Sequence, residues 1–235
     1  MWNQATLKGG TSAPGWFLTA QCDGFEHDTW ALIFVSTDGF DWTLRSSVKV
    51  LPPASTLTCD SPGENTIVRM SKDRLLLVVR CGGGQRLLAW ESEDEAVSWE
   101  RHALPADMRG VMPVAVRMDN GAIVLATGRG GLALWLNARG DGEEWILVNV
   151  GERHNELILL NHKVDGKNLQ YTRKFAELMN VTRETTAYNT LLKLGADHGC
   201  FCYDRLSWNN KSSWYGPPGN RAANDHVFCM RFRVQ

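Results

Sequence analysis

Apolar residues along this chain arrive in short runs separated by glycine, proline and charged turns, a rhythm of strands. Trp16 to Gln21, Trp30 to Ser36 and Trp42 to Val50 read as three strands, the last ended by Pro52-Pro53. A unit of four antiparallel strands then lacks a strand at its beginning, which either Met1 to Lys8 or another segment supplies. The next block is the clearest. Glu64 to Met70 alternates, Ser71-Lys72-Asp73 turns, Arg74 to Arg80 is an apolar run ending in charge, and Cys81-Gly82-Gly83-Gly84 turns again before Gln85 to Ser92. A third block repeats it with Val114 to Met118, the hairpin pair Asn120-Gly121, Ala122 to Thr127, the turn Gly128-Arg129-Gly130-Gly131, Leu132 to Leu136 and Trp145 to Val150. Residues 151–183 break the rhythm, and Leu169, Phe175, Leu178 and Met179 at roughly helical spacing predict a short helix there. The fourth block runs from Glu184 to Tyr188 through Leu191 to Leu194, a turn at Gly195-Ala196-Asp197, Cys200 to Tyr203, a long loop and the alternating strand Val227 to Val234.

A repeated turn sets the phase of these blocks. Ser92-Glu93-Asp94-Glu95-Ala96-Val97-Ser98-Trp99 has a shorter counterpart in Ser36-Thr37-Asp38-Gly39-Phe40-Asp41-Trp42 and a degraded one in Asn137 to Trp145, each following an apolar strand. The three tryptophans recur at roughly 50-residue intervals, the length of one four-stranded blade of a β-propeller. Asp or Ser accepts hydrogen bonds from amides just ahead, Gly supplies a positive φ, and Trp re-enters the sheet with a large apolar body. The expected fold is therefore all-β: a single propeller domain over 1–235, with four-stranded blades at about 1–60, 61–108, 109–150 and 184–235 and an insert at 151–183. The final strand is expected to close the ring beside blades elsewhere.

Composition narrows the function. Lys+Arg 25 against Asp+Glu 26 leaves a net charge of -1, which excludes a basic nucleic-acid surface as the organising feature. No run of 18 apolar residues occurs, and the first 20 residues hold no basic-then-apolar leader, so the chain as given is expected neither to span a membrane nor to be exported, and to be cytoplasmic if complete. The six cysteines show no metal-ligand spacing; Cys200 and Cys202 share one face of a strand and read as buried free thiols. His154 and His162 flank an apolar run with no third ligand nearby, so surface or hydrogen-bonded histidines are expected and no metal or cofactor.

Propellers bind ligands at one end of their axis, on the ends of inner strands and the loops between them. Glu64 opens the first strand of the second block and Tyr188 that of the fourth, while Arg80 and Arg129 end the second strands of the second and third blocks. Antiparallel neighbours put the start of one strand beside the end of the next, so these four residues can face one mouth.

The turns resemble the Asp box, S-x-D-x-G-x-x-W, of sialidases and related propellers. In the Ser92 copy Ala96 stands for the glycine, and in the third copy Ala138 and Gly140 stand for the Ser and Asp. The resemblance implies a site in which an arginine cluster clamps the carboxylate of sialic acid, with Arg80 and Arg129 as two of its members. It further implies Tyr188 as nucleophile and Glu64 as its base. A neutral phenol approaches an anomeric carbon that carries a carboxylate with less repulsion than a second carboxylate would, and arginine's planar fork matches the acid. No Arg-Ile-Pro segment is present for the first clamp arginine, and although Asp23 and Asp28 precede a strand and an Asp box, as the family's acid Asp does, no arginine lies upstream of them. The chain is thus expected to correspond to the C-terminal four blades of six, weakly active or inactive, with a sialylated glycan or other acidic sugar as its partner. The alternative is a non-catalytic propeller that binds glycan or protein through the same mouth.

Overall fold

The computed structural model describes residues 6–9, 16–23, 29–50, 62–71, 73–81, 86–128, 132–161, 188–205 and 226–235. The first sheet holds β1 (Thr6–Gly9), β2 (Trp16–Asp23), β3 (Thr29–Ser36) and β4 (Thr43–Lys49). The second holds β5 (Pro62–Arg69), β6 (Leu75–Cys81), β7 (Leu88–Ser92) and β8 (Glu100–His102), and the third holds β9 (Val111–Arg117), β10 (Ile123–Gly128), β11 (Ala133–Asn137) and β12 (Ile146–Asn149). After the helix α1 (Val150–Asn161), β13 (Asn189–Lys193), β14 (His198–Arg205) and β15 (His226–Arg233) make the last sheet. Among the described residues each sheet is an antiparallel meander in chain order, the first three of four strands and the last of three. The strand missing from the first block is thus β1, paired with β2 from Thr6↔Thr19 to Gly9↔Trp16.

Burial explains why the sheets stack. The central strands β6 and β10 are apolar almost throughout, and their alternate residues feed different cores. Leu75, Leu77 and Val79 join Phe17, Ala31 and Ile33 between the first and second sheets. Leu76 and Val78 join Ile123, Leu125 and Trp135 between the second and third, and Val124 and Ala126 join Leu191, Phe201 and Tyr203 between the third and fourth. First strands lie against one another in the order β1, β5, β9, β13, so the inner edges follow an arc.

The tryptophan turns use their side chains as the composition predicts. Ser36 Oγ accepts from the Gly39 amide at 2.8 Å, and Asp38 Oδ1 accepts from the amides of Phe40 and Asp41 at 2.8 and 2.9 Å. Asp94 likewise accepts from the Val97 and Ser98 amides. The third turn differs from its expected alignment. Asn137 and Asp141, not Ala138 and Gly140, do the work: Asn137 Oδ1 accepts from Gly142 N at 3.1 Å and Asp141 Oδ1 from Glu143 N at 3.0 Å. The reason is that an extra two residues in this turn move the acceptors outward while the tryptophan end stays constant. Trp42 Nε1 donates to the Gly39 carbonyl and Trp145 Nε1 to that of Gly142. Gly39, Ala96 and Gly142 share a left-handed backbone, with φ of 82°, 63° and 84°.

Two of these turns also reach back onto the outer strand of the preceding sheet. Ser46 Oγ on β4 donates to the Ala96 carbonyl and accepts from Trp99 Nε1, while within the turn's own sheet Arg69 of β5 forks onto Glu95 at 2.5 and 2.8 Å. One turn later in the arc, His102 places one ring nitrogen 3.0 Å from Glu91 Oε2 and the other 3.0 Å from the Gly142 carbonyl.

Two expectations are corrected, and a helix that the sequence reading did not anticipate opens the insert. It begins at Val150, where Asn149 Oδ1 accepts from the Glu152 amide; Asn-x-x-Glu is a capping pattern, and it stops β12 and starts α1 at once. The segment Leu169 to Met179 lies outside the described residues. The final strand pairs with β14 from His198↔Arg233 to Arg205↔His226, a partner already adjacent in chain order, and among the described residues it does not pair with a distant sheet. Cys202 is not a free thiol: it faces Cys229 across β14 and β15 and is disulfide-bonded to it, whereas Cys200 is free. Spacing along one strand cannot reveal a partner that register brings from another. Cys81, at the end of β6, is disulfide-bonded as well.

Two outcomes follow. A methyl group at Gly142 would meet Met70 Sδ at 2.9 Å and the His102 ring at 3.2 Å in a left-handed backbone, so Gly142→Ala should lower unfolding free energy by about 1–3 kcal/mol in urea titration. Hydrogen bonds from the Ser98 hydroxyl and amide, then from Ser92 and Val97, hold the Asp94 carboxyl below its ordinary 3.8, at about 2. A lowered folded value stabilises the protein above pH 3.8, and that contribution is lost as pH falls toward about 2. Asp94→Asn should therefore flatten the acid limb of a stability-against-pH curve in this window, read by thermal melts.

Candidate functional site

Because each sheet is a meander, the start of its first strand lies beside the end of its second. The starts of β5, β9 and β13 and the ends of β6, β10 and β14 thus gather at one end of the arc. The tryptophan turns join third strands to fourth and lie at the opposite end.

At the mouth end, Glu64 sits where the β5–β6 register slips between Pro62 and Asn65. Such an irregularity re-aims a side chain that regular pleating would place elsewhere. Arg80 Nη1 donates to both Glu64 carboxylate oxygens, each at 2.6 Å, and the two side chains are only 18% and 13% exposed. Here the structure joins two of the expected residues directly. The disulfide-bonded Cys81 is buried next to Arg80 and anchors that strand end.

The start of β9 contributes backbone. Gly110 has a φ of 133°, and a Cβ there would lie 2.6 Å from the Gly128 carbonyl, so the ends of β9 and β10 approach more closely than a side chain permits. Met112 takes a left-handed φ of 53°, and its carbonyl accepts from Asn189 Nδ2 at 3.1 Å. That bond ties the start of β13 to the start of β9.

Tyr188 stands immediately before β13 with its side chain 44% exposed. Its amide donates to Asp204 Oδ1 at 3.1 Å and its carbonyl accepts from the Asp204 amide. The fourth sheet therefore holds the tyrosine's backbone at this end of the arc. Arg129 lies outside the described residues.

Sequence reasoning missed Asn189, Asp204 and the strained Met112. Asp204 occupies on β14 the place that Arg80 occupies on β6, and comparing strand ends across blocks would have found it. Asn189 follows Tyr188 directly, but only the fold shows its amide crossing to Met112. Among the described residues, Thr127 Oγ1 and Asn189 Oδ1 at these strand ends are buried atoms that make no hydrogen bond. His154 meets the expectation of a hydrogen-bonded histidine: buried on α1, its Nδ1 lies 2.8 Å from the Tyr203 hydroxyl, and its ring stands edge-on to Phe228. Burial pushes the Tyr203 phenol well above its usual value, which keeps it neutral in this core.

No family model matches the chain, and no curated protein matches it in sequence. Solved structures do. The α-L-arabinanase of Penicillium chrysogenum, complexed with arabinobiose, superposes with a TM-score of 0.53 at 15% identity over 99% of this chain and 57% of its own. The NanB sialidase of Streptococcus pneumoniae, as a K499G mutant, superposes with a TM-score of 0.53 at 15% identity over 89% of this chain and 28% of its own. The Hadza microbial sialidase Hz136 gives 0.50 at 12% identity over 81% and 33%. The fold is that of a β-propeller. This chain spans little more than half of the arabinanase and about a third or less of the sialidases.

The Glu64–Arg80 pair has a measurable consequence. Arg80→Met strands a largely buried carboxylate and should cost about 1–3 kcal/mol, and Glu64→Gln in the same background should restore part of that loss. A double-mutant cycle in urea reads the coupling.

Proposed function

We propose that this chain belongs to a glycoside-hydrolase-type propeller, and that its mouth receives a sugar bearing a carboxylate, with a terminal sialic acid as the best-fitting class. The observation that carries the reading is the Glu64–Arg80 pair at the same end of the arc as Tyr188. A guanidinium has five N–H donors in a planar fork, so an arginine oriented by one carboxylate can still bind a second acid. Arg80 would take the sugar's carboxylate, joined by Arg129 from the turn after β10. Tyr188 would attack the anomeric carbon and Glu64 would take its proton, a retaining reaction through a covalent glycosyl-tyrosine. Blades beyond the four present here, six in all, would supply the acid that protonates the leaving group.

One observation favours a second reading, a non-catalytic glycan- or protein-binding propeller. Both Glu64 oxygens are engaged by Arg80, and a carboxylate held so is not presented to a phenol. In that reading the mouth still binds an acidic sugar but turns nothing over.

A fluorogenic sialoside separates them. Slow cleavage that disappears in Tyr188→Phe supports the enzyme, and cleavage unaffected by that substitution overturns the assignment of Tyr188. Binding of a sialylated oligosaccharide without turnover, unchanged in Tyr188→Phe and weakened in Arg80→Met, supports the binding module.

A further inference from the structure

The outward face of the fourth sheet carries three cysteines. Cys200 and Cys202 are two apart on β14 and so share a face, and register sets Cys229 of β15 opposite Cys202. The other face of these strands is the apolar one, with Phe201, Tyr203, Met230 and Phe232 turned to the core beside the third sheet. Cys200 Sγ lies 3.7 Å from Cys202 Sγ, and the three sulfur atoms all lie within 4.8 Å of one another. Cys202 and Cys229 are joined as a disulfide; Cys200 is free and half-buried, and Cys229 is exposed.

A disulfide that only braces two strands needs two cysteines, and here a third thiol touches it. Exchange within the trio is disfavoured by backbone geometry, because residues two apart on an extended strand hold their Cα atoms at the outer limit of what a disulfide spans. A metal ion sets a different demand. Tetrahedral zinc with Zn–S bonds of about 2.3 Å separates its sulfur ligands by about 3.8 Å. The Cys200–Cys202 separation already matches that edge. Opening the disulfide lets Cys229 Sγ retreat from bonding distance toward the same spacing, with β14 and β15 held in register by their ladder.

We propose that Cys200, Cys202 and Cys229 form a redox-gated site for a thiophilic divalent cation, closed as the Cys202–Cys229 disulfide and open as three thiolates. A dithiol reductant opens it: its thiolate attacks one sulfur, the S–S bond breaks, and two electrons and two protons leave two thiols on the protein while the reductant becomes a disulfide. Cation binding then releases the three thiol protons to solvent, and water fills the fourth position on the exposed side. The site is independent of the sugar-binding reading.

The test uses the full chain, reduced with a dithiol that is then removed without air, and titrated with Cd²⁺ while the thiolate-to-metal charge-transfer absorption is followed. The reduced protein should bind one ion more per chain than a variant carrying Cys200→Ser, Cys202→Ser and Cys229→Ser, which keeps every other cysteine. The oxidised protein should lack that ion. Cys200→Ser, which retains the disulfide and with it the oxidised fold, should bind after reduction more weakly than wild type by over about tenfold. Equal stoichiometry and affinity in reduced wild type and the triple variant would overturn the proposal. Loss of the strand signal in circular dichroism on reduction would overturn it too, since the site requires β14 and β15 in register.

Discussion

Strands that are apolar on both faces are the constraint on which this molecule depends. Leu75, Leu77 and Val79 of β6 lie in one core while Leu76 and Val78 lie in the next. A sheet built on such a strand has no face to give to water, so it must be covered on both sides. Removing one such leucine side chain costs about 2–5 kcal/mol, and the loss falls on an interface between sheets. Stacking of each sheet on its neighbour, with first strands along the inner edge, satisfies the whole series at once. The arc, and hence the gathering of strand ends at a mouth, is a consequence.

The tryptophan turns and the charged strand ends sit at opposite ends of that arc. The tryptophan turns at one end satisfy their own amides with Ser, Asp or Asn side chains. The second and third also bond to the preceding sheet through Ser46 and His102. They act as clasps between neighbours, which the repeat alone does not reveal. The mouth end keeps its charge in Glu64, Arg80 and Asp204 and its strain in Gly110 and Met112.

Within the mouth, the resemblance and the geometry ask different things of Glu64. A base for a tyrosine should face the phenol, whereas here the carboxylate is oriented by Arg80 at 2.6 Å. In the proposed reading, an arginine and a glutamate that orient each other would receive an acid, because the pair positions the guanidinium before the ligand arrives. Catalysis asks for a further rearrangement and binding does not. The neighbouring folds include an arabinanase as well as sialidases, so likeness of fold does not name a substrate.

Strands, their order and the three clasping turns were legible in the sequence, because period-two alternation and turn chemistry are local properties of the chain. Glu64, Arg80 and Tyr188 were legible as strand-end positions for the same reason, once Trp42, Trp99 and Trp145 had set the phase. What lay beyond it depends on register and on contacts between distant segments. Arg80 reaching Glu64 follows from a slip in β5, the Asn189 bond to Met112 crosses from one sheet to another, and Asn137 with Asp141 replaced the expected turn residues because two additional positions were absorbed in space. Cys229 finding Cys202 is the plainest case: residues 27 apart meet only because β14 and β15 pair in one register, and no spacing rule along the chain contains that information.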